Sequence, residues 1–292
     1  MGANRVRYAS VLSAVLVSSA ACAEDDMNFL EDRPLWRLDT RVIADRDGGR
    51  GALIGLGWDT DHGARLDASH TAFNAGEGGL ESRQTMLGVT TTTLPAWRLG
   101  LHADRTNYSD TLVVGRLTPR AAWLGEEWEL ELAPEFSRLA FTQNTTSTTA
   151  KTADVTSRAL QASATYFGFQ NWMLSVNHYR ANYSRDLSKT MSRLSQLGRL
   201  VGNSRVATAD GLVSGLISTR SGIDSAYLWS RAQIGVAVER AVLEADKSVV
   251  SVASLAFDWQ QSRALSWSAQ LTHARLESET HVTISAGLGF RW

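Results

Sequence analysis

A catalytic group must stand within hydrogen-bond reach of the nucleophile or water it activates, so the search for chemistry starts with the six histidines. His102 and Asp104 are two residues apart, a spacing that places both on one face of a strand and lets a carboxylate orient an imidazole. Asp59, Asp61 and His62 crowd into one short turn. His70, His178, His273 and His281 are scattered, and no group of His, Cys and acidic residues has the spacing of a metal site. The sequence shows no nucleophile motif and no phosphate-binding loop, and Cys22 is its only cysteine. These features point away from an enzyme and call for no metal and no cofactor; a hydrolase built on His102 and Asp104 is kept as the last alternative.

The charged residues are better organised than the histidines, because they alternate with apolar ones. In WRLDTRVIA, Trp36, Leu38, Thr40 and Val42 oppose Arg37, Asp39 and Arg41. In AWRLGLHAD, Trp97, Leu99, Leu101 and Ala103 oppose Arg98, Gly100, His102 and Asp104. In EEWELELAPEF, Trp128, Leu130, Leu132 and Phe136 oppose Glu127, Glu129, Glu131 and Glu135. VVSVASLAFDW and LSWSAQLTH behave alike. This period of two is that of strands with one apolar and one polar face. Collected on the polar face are Arg37, Asp39, Arg41, Arg65, Asp67, Arg98, His102, Asp104, Arg116, Arg120, Glu127, Glu129, Glu131, Arg231, Glu239, Asp258 and Arg291. Both signs occur, and Arg116 and Arg120 precede the Glu127–Glu131 run by one turn, so cross-strand pairing is expected there.

The first residues read as an address. Arg5 and Arg7 precede the apolar stretch Val11–Val17 and the small residues 18–23, the order of a secretory signal peptide with Ala21 and Ala23 at the cleavage site. A spanning helix is the weaker reading of this stretch because the apolar run is shorter than the ~20 residues that a span needs. A lipoprotein would instead keep Cys22 as its acylated first residue. Residues 1–23 are thus expected to form the signal peptide, 24–34 a periplasmic tail and 35–292 the folded unit. The formal charge of −1 becomes −3 once Arg5 and Arg7 leave, which offers no basic field for nucleic acid.

No later run of 18 apolar residues follows, so the elements that position the charged rows are strands. They are expected near 35–44, 51–60, 63–73, 81–93, 96–107, 110–122, 126–141, 154–168, 170–183, 206–219, 226–242, 248–260, 264–276 and 280–292. Short turns (DTDHG, TLPA, LGEE, GFQN, QQSRA) alternate with longer polar ones (DRDGGR, FNAGEGG and the tract 142–154). A soluble sandwich would alternate too. The tryptophans decide: nine of the ten, Trp36 to Trp292, mostly lie at strand ends, as interfacial girdles require. The expected fold is an all-β antiparallel transmembrane barrel of 14 strands; the tenth segment is the weakest, and since removing it alone would leave an odd count, the alternative is 12.

The final strand carries a resemblance. Ser285, Gly287, Phe290 and Trp292 match polar-x-Gly-x-x-aromatic-x-aromatic, which resembles the terminal signal that the bacterial barrel assembly machinery reads in porin-like outer-membrane β-barrels. The resemblance implies that machinery as a partner, with outer-membrane lipid and lipopolysaccharide around the wall. Size and strand pattern are also similar to those of small barrels accompanying exopolysaccharide export.

One stretch, DLSKTMSRLSQLGRL, is helical in spacing: Leu187, Met191, Leu194, Leu197 and Leu200 share a face. It falls in the longest outside loop, and residues 180–205 hold six basic groups against Asp186. The helix could lie on the rim among anionic head groups, or fold into the mouth, where Lys189, Arg193 and Arg199 would form an anion-favouring constriction. The leading function is an outer-membrane channel for passive passage of small or polymeric solutes, exopolysaccharide among them. The alternative is a sealed structural barrel serving an envelope or export complex, its ionic wall acting as the plug.

Overall fold

The computed structural model describes residues 36–292 apart from 47, 61–62, 75–80, 95, 109–111, 144–150, 170, 188–215, 245–246 and 277–278. The expected signal peptide and tail, Asp61, His62, and the loop helix beyond Leu187 with Lys189, Arg193 and Arg199 lie outside the described residues.

Fourteen antiparallel strands follow one another around a closed barrel: β1 (Trp36–Asp45), β2 (Arg50–Asp59), β3 (Ala64–Asn74), β4 (Glu81–Leu94), β5 (Trp97–Tyr108), β6 (Leu112–Leu124), β7 (Trp128–Gln143), β8 (Lys151–Phe169), β9 (Trp172–Tyr183), β10 (Ile217–Leu228), β11 (Ala232–Leu243), β12 (Val249–Gln260), β13 (Leu265–Leu276) and β14 (Glu279–Arg291). Each pairs with its sequence neighbours, and β14 returns to pair with β1. The 12-strand alternative is thereby set aside. Closure removes the free edges that would otherwise expose unpaired backbone groups.

Alternation along each strand sets the two surfaces. Val42, Ile54, Leu87, Leu132, Leu160, Ile223, Val238 and Ile284 are more than half exposed on the outer face. So large an apolar surface is costly in water and favourable in hydrocarbon. On the opposite face, Ala133, Leu139 and Phe141 of β7 and Val155 of β8 point inward and are fully buried.

All ten tryptophans gather at the end of the barrel that carries both termini. Registers place Trp36 beside Trp58, Trp97 beside Trp123, Trp128 beside Tyr166, Trp172 beside Tyr227 and Trp259 beside Trp267. Trp229 and Trp292 complete the ring. Neighbours stack, with Trp36 and Trp58 5.7 Å apart and Tyr227 edge-on to both Trp172 and Trp229. Each strand connection at this end is flanked by an aromatic, so the girdle forms a ring there.

At the seam, the Trp36 amide donates to the Trp292 carbonyl at 3.0 Å and the Trp292 amide donates back to Trp36 at 3.1 Å. Phe290 lies opposite Leu38 on one side and Leu265 on the other. Gly287 faces inward where a side chain would not fit: a Cβ would meet the Thr40 carbonyl oxygen at 2.8 Å and Ser268 Oγ at 2.7 Å. Gly287, Phe290 and Trp292, three of the four residues of the terminal motif, thus stand at the seam that closes the barrel.

Two expectations are corrected. The tenth strand is Ile217–Leu228, not 206–219, and the eleventh begins at Ala232, not 226. The outer row of the true tenth strand is Thr219, Ser221, Ile223, Ser225 and Tyr227, polar enough to blur the alternation by which the other strands are recognised. As a result Arg231, expected on the polar wall, is exposed in the β10–β11 turn, where its carbonyl accepts from the Gln260 amide at 2.7 Å. Glu127 likewise sits exposed in the β6–β7 turn rather than in the wall.

Candidate functional site

The inner wall carries its charges in ladders that run around the barrel, and small residues make the ladders possible. Register places Gly57 of β2 between Arg37 of β1 and Asp67 of β3. With no side chain between them, the Arg37 guanidinium crosses β2 to reach Asp67 at 3.2 Å while also holding Asp39 at 3.0 Å. Arg65 meets the same Asp67 at 3.0 Å. A Cβ on Gly57 would lie 3.1 Å from the Asp67 carboxylate, so the bridge lies flat on that glycine.

The same device recurs over β6. Ala122 lies opposite both Arg98 of β5 and Glu131 of β7. Arg98 passes over its methyl group to pair with Glu129 and, at 3.6 Å, with Glu131. Arg120 reaches Glu131 at 3.5 Å. Arg116 takes a different partner from the one its neighbourhood in sequence suggests: it grips Asp104, its register partner on β5, with Nε 3.0 Å from both carboxylate oxygens. Bidentate guanidinium–carboxylate contacts are the strongest of these pairs. Further round, the Tyr179 hydroxyl of β9 donates to Glu135 of β7 at 3.0 Å, and the Arg220 guanidinium of β10 lies 5.6 Å over the Tyr179 ring.

Of the expected polar-wall residues, Arg37, Asp39, Arg65, Asp67, Arg98, Asp104, Arg116, Arg120, Glu129 and Glu131 are drawn into these ladders. Arg41, Glu239 and Asp258 also face inward, and Arg291 lies on the inward row but is exposed at the terminus-bearing rim. Arg220 and Asp224 escaped the sequence reading because their strand was misplaced. Their signal was present: they flank Gly222 on one face, each two residues from it, in a segment that reaches the girdle residue Tyr227.

His102 and Asp104 do share the inward face, but Asp104 is committed to Arg116, and the His102 ring lies against Gly88, where a Cβ would be 3.4 Å from Nε2. His70, His178 and His273 point outward, His70 to Thr85 at 3.0 Å and His178 to Ser221 at 2.8 Å. His281 is buried on the inward row of β14.

At the end away from the termini the wall turns apolar. Tyr108, Leu112, Val114, Leu139, Phe141 and Val155 form one buried cluster, and Leu187 and Leu216 pack into it. These two leucines stand at the two ends of the β9–β10 loop. Tyr183 donates to the Ile217 carbonyl at 2.8 Å, and the Glu244 amide donates to Leu216 at 2.7 Å. Both ends of the long loop therefore enter the mouth rather than lying across the rim. A second cluster, which includes Ala241, Leu243, Val250, Val252 and Ala274, covers the adjoining arc of β8–β13.

Strand number, closure, an apolar outer band, one aromatic girdle and an ionic inner wall are now in place. The fold is that of an outer-membrane β-barrel. The barrel aligns with the CymD monoaromatic hydrocarbon channel at a TM-score of 0.54 and 10% identity, covering 90% of each chain. It also aligns with the NanC porin (TM-score 0.47, 8% identity, 87% and 100% covered). An anion-selective porin from Comamonas acidovorans aligns at a TM-score of 0.46 and 9% identity, with 88% and 98% covered. At 10% identity the likeness to the CymD channel is one of fold. No protein-family model and no curated protein matches the sequence.

Proposed function

We propose that this barrel is a channel of the Gram-negative outer membrane, passing small solutes passively through its lumen. The observation that carries this reading is the direction of the lumenal pairs. Each ion pair described above joins residues of one strand or of strands no more than two apart, so the charged side chains lie along the wall rather than reaching across it. Fourteen strands spaced ~4.8 Å and tilted ~40° give a backbone diameter of about 28 Å. Side chains flattened on such a wall leave a central column for water, whereas a plug would need pairs between opposite walls.

Leu187 and Leu216, which bound the β9–β10 connection, pack inside the mouth and narrow the path there. Lys189, Arg193 and Arg199 would then raise the potential at the entrance and favour anions. Beyond that point a solute meets the partly exposed ion pairs of the β1–β3 wall, which suits small polar solutes. Of the His102–Asp104 pair on the inward face, the Asp104 carboxylate is held by Arg116.

Planar-bilayer recording on the purified folded chain tests the proposal. Stepwise conductance is expected, rising when residues 188–212 are deleted and shifting its reversal potential toward cations when Lys189, Arg193 and Arg199 become Gln. A folded, inserted barrel that conducts neither with the loop nor without it refutes the channel and leaves the sealed structural barrel in its place.

A further inference from the structure

The ion-pair arrangement of the inner wall occurs a third time, and there it is left incomplete. In the first two cases one register row joins a guanidinium, a small residue and a carboxylate on successive strands: Arg37, Gly57 and Asp67, then Arg98, Ala122 and Glu131. The third row joins Asn177 of β9, Gly222 of β10 and Glu239 of β11. It continues the second, since Glu131 lies opposite Ser163 and Ser163 opposite Asn177. A carboxamide stands where the other two rows have a cation. Both side chains lean over the glycine, because a Cβ on Gly222 would meet Asn177 Nδ2 and Glu239 Cγ at 2.9 Å.

The inward neighbours of Gly222 along its own strand are Arg220 and Asp224, so four polar groups face one bare position. Asp224 lies opposite the Ser175 hydroxyl on one side and Ala237 on the other, so β11 sends no bulk across it. Arg220 is the cation beside both acids, yet among the described residues no carboxylate lies within ion-pair distance of it. Its guanidinium rests 5.6 Å over the Tyr179 ring, and its buried Nε has no hydrogen-bond partner among those residues. Gly222 is five residues from the girdle residue Tyr227. At ~3.3 Å per residue and a tilt of ~40° that is a rise of about 13 Å, half of the ~25 Å apolar band, which sets the socket at mid-height of the lumen.

A half-buried carboxylate without a counter-charge is costly, and a cation carried in by a solute completes the third row as Arg37 and Arg98 complete theirs. The charges of the socket fix the class of that solute. Two carboxylates and one guanidinium are matched by two cationic groups and one carboxylate on a single molecule. A guanidinium holds a carboxylate through parallel N–H donors, and the Asn177 amide oxygen accepts from an ammonium. Arg220 and Asp224 are four residues apart, ~13 Å between Cα atoms, and a short aliphatic chain bridges what their side chains leave open. We propose that this socket binds a dibasic α-amino acid, its cationic groups held by Asp224 and Glu239 and its carboxylate by Arg220. The proposal rests on the channel reading for delivery of the solute, while the binding itself is measurable without conduction.

The test uses the full-length folded barrel. In detergent micelles, saturation-transfer NMR titrates L-lysine, cadaverine, which lacks the carboxylate, and L-norleucine, which lacks the side-chain amine. In planar bilayers the same solutes are titrated against the KCl conductance. Lysine is expected to bind at least tenfold more tightly than either analogue and to reduce the KCl current saturably. Asp224→Asn with Glu239→Gln should remove the lysine signal, and Arg220→Gln should lower lysine to the level of cadaverine. Asp258→Asn, which neutralises a lumenal carboxylate one residue from the girdle residue Trp259, should leave lysine binding unchanged. Should the double variant lack the heat-modified mobility of a folded barrel, Asp224→Asn and Glu239→Gln are read singly, each weakening lysine several-fold. Equal binding of lysine and either analogue by wild type, or unchanged lysine binding in the folded socket variants, overturns the proposal. A barrel that conducts KCl without binding lysine loses the site and keeps the channel, whereas one that binds lysine without conducting keeps the site and loses the channel.

Discussion

The sharpest test of the membrane reading is a graded one along the outer row of β7. Leu132 is 54% exposed, stands four residues from Trp128 and six from Arg138, and is flanked by Ala121 and Ala162. Those separations put it about 10 Å above the aromatic ring and about 15 Å below Arg138, near the middle of the apolar band. Leu132→Arg should therefore cost about 2 to 4 kcal/mol. Phe136→Arg, only two residues from Arg138, lies near the interface and should cost no more than about 1 kcal/mol for the charge itself. Ser163→Arg provides the inward control: Ser163 lies opposite Glu131 on the inner wall, so the new guanidinium gains a carboxylate and water. Glu131 itself would be a poor control, because it already compensates Arg98 and Arg120. Reversible denaturant unfolding in lipid vesicles measures all three. If Leu132→Arg costs no more than Ser163→Arg, or if the order of Leu132 and Phe136 is reversed, the outer face does not meet hydrocarbon and the argument from exposure fails.

Arg98→Ala leaves Glu129 and Glu131 of the inner wall without their shared cation. Loss of one partner of a buried pair costs about 3 to 5 kcal/mol, and the partial exposure of this one lowers the expectation to about 2 kcal/mol, measured by the same unfolding assay. In bilayers the uncovered carboxylates should also move the reversal potential toward cations. Gly287→Val drives a side chain against the Thr40 carbonyl across the β1–β14 seam, so the fraction of heat-modifiable barrel should fall sharply, whereas Gly115→Val, where a Cβ meets nothing within 4 Å, should leave it unchanged. Removing Phe290 through Trp292 takes away both the aromatic signal and the reciprocal bonds to Trp36. The truncated chain is expected to be absent from outer-membrane fractions, and its normal assembly would refute the role given to the last strand.

Much of this architecture is written locally. Alternation identifies a strand from its own ten residues, because side chains of a strand take opposite faces whatever surrounds it. That is why the inward assignment of Arg37, Asp39, Arg98, His102, Asp104, Glu129 and Glu131 was legible, and why the tryptophans marked strand ends before any strand had a neighbour. Locality also explains the failure at β10. Its outer row mixes Ser and Thr with Ile223 and Tyr227, and polar side chains outside the mid-band do not alternate against a polar inner row. What only the tertiary structure decided is which residues meet. The pairing of Arg98 with Glu129 across Ala122, of Arg37 with Asp67 across Gly57, and of Arg116 with Asp104 rather than with the nearby glutamates depends on the stagger between strands. The same stagger brings Asn177 and Glu239 together over Gly222. Stagger is a property of the closed sheet, set when β14 finds β1, and no single strand contains it.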